Sequence, residues 1–240
     1  MTEPHPTRRP SYDLVLAAFC GLLLISNVSA TKLIEFGGSA ELGGFPILPI
    51  VTDGGAFLFP LTYVLGDVLA EVYGLAKARR AIWTGFVLAA LMSLTFAVVA
   101  AAPPASDWPN NDAWSAVLGF VPRIVLASLA GYLAGQFLNA VVLVWIRDRF
   151  GPGRLWVRLV GSTVVGELAD TLVFCLIAFG PLGAFLGGGS LDLPTLANYT
   201  LVGFVYKVMV EVIFLPVTYR VIAWIRRSEG LASLPTPSGR

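Results

Sequence analysis

Four pairs of polar residues interrupt otherwise apolar stretches of this chain, and each pair has helical spacing. Asp67 and Glu71, in FPLTYVLGDVLAEVYG (59–74), lie four residues apart. Glu167 and Asp170 lie three apart, as do Gln136 and Asn139. Lys207 and Glu211 lie four apart and are opposite in sign. Residues at these separations share one face of a helix. Two carboxylates on one face in an apolar setting raise each other's cost, so the acidic pairs call for a cationic partner, protons or a ligand between them. Such a stripe can hold a planar pair of donors, because a carboxylate accepts two parallel N–H bonds.

The elements that carry these residues are membrane spans. The 240 residues are 56% hydrophobic and only 13% charged. A soluble domain carries roughly 25% charged residues. The mean hydropathy is +0.78. Six segments reach the roughly 20 apolar residues that cross a bilayer: 13–35, 55–76, 81–102, 119–146, 159–183 and 196–225. The chain reads as an all-α polytopic membrane protein with one domain, 13–227, between an N-terminal tail (1–12) and a C-terminal tail (228–240). Arg8 and Arg9, then a run from Leu14 to Val28-Ser29-Ala30, also fit a cleavable signal. That reading yields to the polar stretch that follows directly and to the many spans beyond it.

Positive charge sets the orientation. Arg8 and Arg9, then Lys77, Arg79 and Arg80, then Arg147, Arg149, Arg154 and Arg158, then Arg220, Arg226 and Arg227 fall on alternate connections. The loops 37–54, 103–112 and 187–195 hold no Lys or Arg and carry Glu41, Asp53, Asp107, Asp112 and Asp192. Both termini are expected in the cytoplasm.

Polar residues inside spans are costly and mark functional positions. The candidate binding residues are Asn27 and Lys32 on span 1, Asp67 and Glu71 on span 2, Gln136 and Asn139 on span 4, Glu167 and Asp170 on span 5, and Lys207 and Glu211 on span 6. Tyr63, Tyr73, Phe174 and Tyr206 lie close to these polar positions in sequence. Span 3 has no charge and reads as a lipid-facing packing helix. Plainer roles compete at several positions. Lys207 and Glu211 suit an intrahelical ion pair, Lys32, Glu35 and Arg123 suit snorkelling side chains, and Gln136 and Asn139 suit hydrogen bonds between helices. GYLAG (131–135) is a small-xxx-small packing pattern, within the chain or between two copies, which leaves a homodimer open. Trp83, Trp114 and Trp145 suit interface anchors.

Other chemistry has little support. Cys20 and Cys175 are far apart in apolar runs, and His5 is the single histidine. A disulfide framework, a zinc site and a His-based dyad therefore have no candidate residues. No Walker motif is present, a net charge of +1 offers no field for nucleic acid, and no cofactor is called for. Gly66-Asp67…Glu71 and Gly166-Glu167…Asp170 echo each other 100 residues apart. This pattern suggests two halves of three spans in opposite orientation, with the site at the midplane.

The run SNVSATK (26–32), then FPLTYVLGDVLAEVYG and KARRAIWTGF (77–86), resembles the queuosine precursor transporters, bacterial membrane proteins of the vitamin-uptake type. RIVLASLAGYLAGQFLN (123–139), GELADTLVF (166–174) and YKVMVEVIFLPVTY (206–219) agree. The resemblance covers about residues 20–220. It implies a six-helix inner-membrane protein that takes up 7-cyano-7-deazaguanine, 7-aminomethyl-7-deazaguanine or both, for salvage into tRNA queuosine.

A guanine-like edge presents N1–H and an exocyclic amine beside a carbonyl, which suits carboxylate acceptors with Gln136, Asn139, Asn27 or Lys207 as donor. Proton coupling and facilitated diffusion both fit. The rival readings are a substrate-capture subunit of an ATP-driven vitamin importer, a transporter of another purine-like vitamin, and an intramembrane hydrolase. The last lacks an activated nucleophile.

Overall fold

A computed structural model describes residues 10–43, 45–150, 155–185 and 189–228. The two tails and Arg154 fall largely outside them. Helix α1 (Pro10–Ser29) leads into a hairpin of β1 (Leu33–Leu42) and β2 (Phe45–Asp53), then a 3-10 turn at Gly54–Phe57. Helices α2 (Phe59–Tyr73), α3 (Leu75–Ala101), α4 (Asn111–Leu118), α5 (Val121–Phe150), α6 (Leu155–Ala178), α7 (Pro181–Ala184) and α8 (Leu193–Ser228) follow.

Among the described residues, five stretches of helix are long and apolar enough to cross a membrane: Tyr12–Ser29, Leu75–Ala101, Asn111–Ile146, Gly161–Ala184 and Leu193–Ser228. The expected second span is shorter. Its helix, α2, has 15 residues, about 22 Å at 1.5 Å per residue, against about 30 Å of hydrocarbon. Pro60 sits in its first turn, where no N–H is required. Gly74, at φ 85°, ends it and lets α3 start at the next residue. A side chain there would be strained.

Two expectations need correcting at the first connection. The sequence places the end of span 1 at residue 35, yet α1 stops at Ser29, and just beyond it Thr31 Oγ1 donates to Val28 O at 2.7 Å. Lys32 and Glu35 thus lie beyond the helix and are exposed. The segment 37–54, read as a loop in an all-α chain, is mostly an antiparallel hairpin that pairs Leu33 with Asp53 and Phe36 with Ile50. Gly54 N closes its base on Lys32 O at 2.9 Å. Hydropathy continues past the end of α1, so apolar content alone could not separate helix from strand.

Close backbone approach holds the helical pair α5 and α6. A Cβ on Gly135 would sit 2.8 Å from Gly166 O and 2.9 Å from the Asp170 Cβ, and one on Gly131 would sit 2.7 Å from Asp170 O. The GYLAG stripe therefore packs within the chain. Small residues are what allow such approach where lipid removes the hydrophobic drive between helices. The largest buried cluster joins Ile124, Ala127, Cys175, Phe179, Leu196 and Tyr199 with Val51 of the hairpin. Outward faces are apolar, as Val87, Leu91, Leu94 and Val98 on α3 and Val212 and Ile213 on α8 show.

Each end of the bundle has its own polar fastening. Tyr12 Oη donates to Lys77 O at 3.3 Å, and the Lys77 ammonium lies over the Tyr12 ring. Arg226 donates to Glu71 O at 2.6 Å. At the other end Arg123 does not snorkel. It is buried and donates to the carbonyls of Ile177 (2.9 Å), Gly189 (3.1 Å) and Gly180 (3.4 Å), around the C-terminus of α6. Ile177 O lies in the last turn of α6, at the negative end of the helix dipole, so a guanidinium suits it.

Candidate functional site

A cavity of about 480 Å³ opens between α1, α2, α3, α5, α6 and α8. Its floor is the end of the hairpin and the 3-10 turn after it, where Thr52, Asp53, Gly55 and Ala56 reach the lining. The volume is that of a small-molecule site. Of the residues singled out in the sequence, Asn27, Asp67, Gln136, Asn139, Glu167, Asp170, Lys207, Phe174 and Tyr206 line it. Lys32, Glu71, Tyr73 and Glu211 do not. Lys32 is an exposed turn residue, Glu71 is exposed near the end of α2, and Tyr73 packs edge-on against Tyr12. Tyr63 is on α2, its side chain outside the described residues. Glu211, half-buried on α8, lies within electrostatic range of Glu167 and Asp67.

The charged centre joins two helices. The Lys207 ammonium on α8 contacts the Asp170 carboxylate on α6 and lies 3.9 Å from Glu167 Oε2. Lys207 thus pairs between helices, where an intrahelical pair with Glu211 was an alternative. The i,i+3 spacing of Glu167 and Asp170 brings both acids to one ammonium. Lys207 is the one lysine or arginine among the cavity-lining residues, against four acids: Asp53, Asp67, Glu167 and Asp170.

Asp53 was read only as an acid in a loop. It accepts from Gly55 N at 2.7 Å and from the Tyr199 hydroxyl of α8. Burial pushes the Asp53 carboxyl above its ordinary range, and these two donors oppose that shift. Val51 N donates to Asn198 Oδ1 at 3.4 Å and Tyr206 Oη to Ala56 O at 2.9 Å. Asn198, Tyr199 and Tyr206 on α8 therefore hold the floor in place. The nearest sequence signal was Tyr206; nothing local marks Asp53 or Tyr199.

The neutral polar groups divide in two. Asn27 is buried and occupied: it donates to Leu23 O at 2.8 Å and accepts from Ser128 Oγ at 3.1 Å, tying α1 to α5. By contrast Gln136 and Asp67, among the described residues, make no hydrogen bond or ion pair. Among the described residues the buried Thr171 hydroxyl and Asn139 Oδ1 have no hydrogen-bond partner. Buried polar atoms are normally paired, so the Thr171 and Asn139 atoms suit a polar solute, and Gln136 and Asp67, exposed on the lining, add to them. Phe86 and Tyr132, with ring centroids 5.3 Å apart, and Phe174 supply flat apolar wall.

The profile of the family described as "Putative vitamin uptake transporter" matches residues 53–221, from Asp53 through most of α8. The chain belongs to this family. It is a family of transporters rather than of enzymes, and with its apolar helices it places the chain as a multi-pass protein of the bacterial inner membrane. A protein of Bacillus subtilis named "Probable queuosine precursor transporter" is 36% identical over 158 residues, 64% of this chain and 63% of that protein. The "Queuosine precursor transporter" of Escherichia coli is 30% identical over 178 residues, 73% of this chain and 75% of that protein. A "Probable queuosine precursor transporter" of Haemophilus influenzae is 30% identical over 125 residues, 52% of this chain and 51% of that protein. The match to the first relative thus spans somewhat under two thirds of its length. No solved structure matches the chain.

Proposed function

We propose that this chain carries 7-deazaguanine precursors of queuosine, 7-cyano-7-deazaguanine and 7-aminomethyl-7-deazaguanine, into the cell. The observation that carries the reading is the cavity itself. It combines open hydrogen-bonding groups with flat aromatic wall in a chain whose relatives are named for queuosine precursors. A planar base offers a donor pair and a carbonyl on one edge. Gln136, Thr171 and Asn139 offer complementary groups, and Phe86, Tyr132 and Phe174 offer stacking surface. The ten candidate polar residues and four aromatics of the sequence reading are thereby narrowed to those on the lining.

In this reading the membrane is crossed six times with both termini in the cytoplasm, and α2 serves as a short second span. The gathering of Tyr12, Lys77 and Arg226 at one end supports it, since basic residues favour the cytoplasmic side. Gly66-Asp67 and Gly166-Glu167 both reach the cavity, which supports the 3+3 inverted repeat. Transport is coupled to protons through the Lys207, Asp170 and Glu167 cluster, because a proton on either acid weakens the hold of the ammonium and frees the α6–α8 contact. The chain works alone, without an ATPase partner.

The test is uptake of labelled 7-cyano-7-deazaguanine by cells that cannot make it, with this chain expressed alone. Queuosine in tRNA is the second readout. Restored uptake that collapses with a protonophore bears out the reading. Uptake that ignores the protonophore removes the coupling, and no uptake by inserted protein removes the substrate.

A further inference from the structure

The four carboxylates on the cavity lining are not equivalent. Asp170 and Glu167 share the Lys207 ammonium. Asp53 accepts from the Gly55 amide and the Tyr199 hydroxyl. Asp67, on the α2 wall, has no such partner among the described residues. Glu71 and Glu211 both lie within electrostatic range of it, so its surroundings are negative as well. With one lysine against four acids among the described lining residues, the lining is predominantly acidic. An uncompensated charge at membrane depth is expensive unless something positive meets it.

Neutral groups meanwhile suffice for the edge of a planar base. Among the described residues the Thr171 hydroxyl, on a residue only 3% exposed, lacks a partner, as does Asn139 Oδ1, and Gln136 is open as well. Between them they supply acceptors for ring N–H and amine donors, and a donor for a carbonyl. That leaves Asp67 for a different part of the solute.

We propose that Asp67 holds a cationic arm of the solute, so that the cavity selects an amine-bearing planar base over its neutral nitrile counterpart. This rests on the reading of the cavity as a deazaguanine site and adds which precursor it prefers and which residue decides. A primary alkylamine is protonated at neutral pH, and an ammonium on a carboxylate forms a charge-assisted hydrogen bond. The nitrile is uncharged and gains nothing from Asp67.

The experiment is titration calorimetry on the purified full-length protein in lipid nanodiscs, at pH 7, with 7-aminomethyl-7-deazaguanine and 7-cyano-7-deazaguanine. The wild type is expected to bind the amine at least about tenfold more tightly, the scale of one charge-assisted hydrogen bond. Asp67→Asn should bring the ratio toward one by losing the amine far more than the nitrile, and Asp67→Glu should keep the amine preferred. Equal affinities in the wild type, or a tighter nitrile, overturn the proposal while leaving the cavity a deazaguanine site. So does an equal loss of both ligands in folded Asp67→Asn. Binding of neither ligand by folded wild type overturns the proposal and the underlying reading together. The wild-type ratio needs no variant, so a misfolded substitution does not shelter the claim.

Discussion

The Lys207 ammonium on α8 meets the Asp170 carboxylate on α6, 37 positions earlier in the chain, with Glu167 Oε2 at 3.9 Å. The pair is partly buried, with 18% and 23% of the two side chains exposed. Removing one partner of a buried pair costs about 3–5 kcal/mol because the other charge is stranded. Lys207→Met should therefore lower the melting temperature in detergent and abolish uptake. Lys207→Met combined with Asp170→Asn should recover much of the stability without recovering uptake. A double variant no more stable than the single one would show that the pair is not the relevant contact.

The α5–α6 seam should be intolerant of added volume. Gly135→Val puts carbon where Gly166 O stands 2.8 Å from the Cβ position, and overpacking of this kind costs about 1–3 kcal/mol. Gly21→Ala is the contrasting variant, because nothing lies within 4 Å of its Cβ position. Inside α1 it should be neutral or stabilising by about 0.5–1 kcal/mol. Thermal unfolding of the two variants in one detergent reads the difference.

Arg123 should not be replaceable by lysine. Its guanidinium serves three carbonyls, those of Ile177, Gly180 and Gly189, from two sides. A lysine has one ammonium on a flexible stem and cannot reproduce that fork. Arg123→Lys and Arg123→Gln are both expected to destabilise, with the lysine variant no better than partial. Limited proteolysis of the segment after α6 should accelerate in both.

The Asp53–Tyr199 contact makes a pH prediction. Burial raises the Asp53 carboxyl and the Tyr199 hydroxyl pulls it back down. An acid whose folded value lies above its unfolded one favours folding more as pH falls, because the native state then binds the proton first. Tyr199→Phe removes a lowering influence, so the folded value rises further. Relative to wild type, this variant should lose stability more as pH rises from about 4, the ordinary Asp value, through the folded value. Melting curves from pH 4 to 8 test the sign, and a variant whose stability parallels the wild type across that range would contradict it.

Much of the helical frame was legible because the bilayer imposes one length on every span, and five apolar stretches meet it. The acids of α6 and the polar stripe of α5 were legible for the related reason that a charge at membrane depth needs a purpose. Spacing along one helix could not reveal partners on another. It left Lys207 open to Glu211 when Asp170 and Glu167 hold it, and it grouped Glu71 with Asp67 although only Asp67 reaches the cavity.

The hairpin was illegible because LIEFGGSAEL and FPILPIVTD carry glycines and prolines that read as loop, and the pairing is a tertiary outcome. Asp53 was missed for the same reason. Its partner Tyr199 lies 146 positions away, and no local pattern carries that information.

The measurement that tests the central claim most directly is transport by the purified chain in liposomes containing no other protein. Labelled 7-deazaguanine precursor would be supplied outside, with folded Lys207→Met protein as the matched comparison. The account predicts that the wild type moves the base into the lumen chemically unchanged, faster with an inward proton gradient, and that the variant does not. Wild-type vesicles that stay empty while the protein is folded and inserted would contradict it.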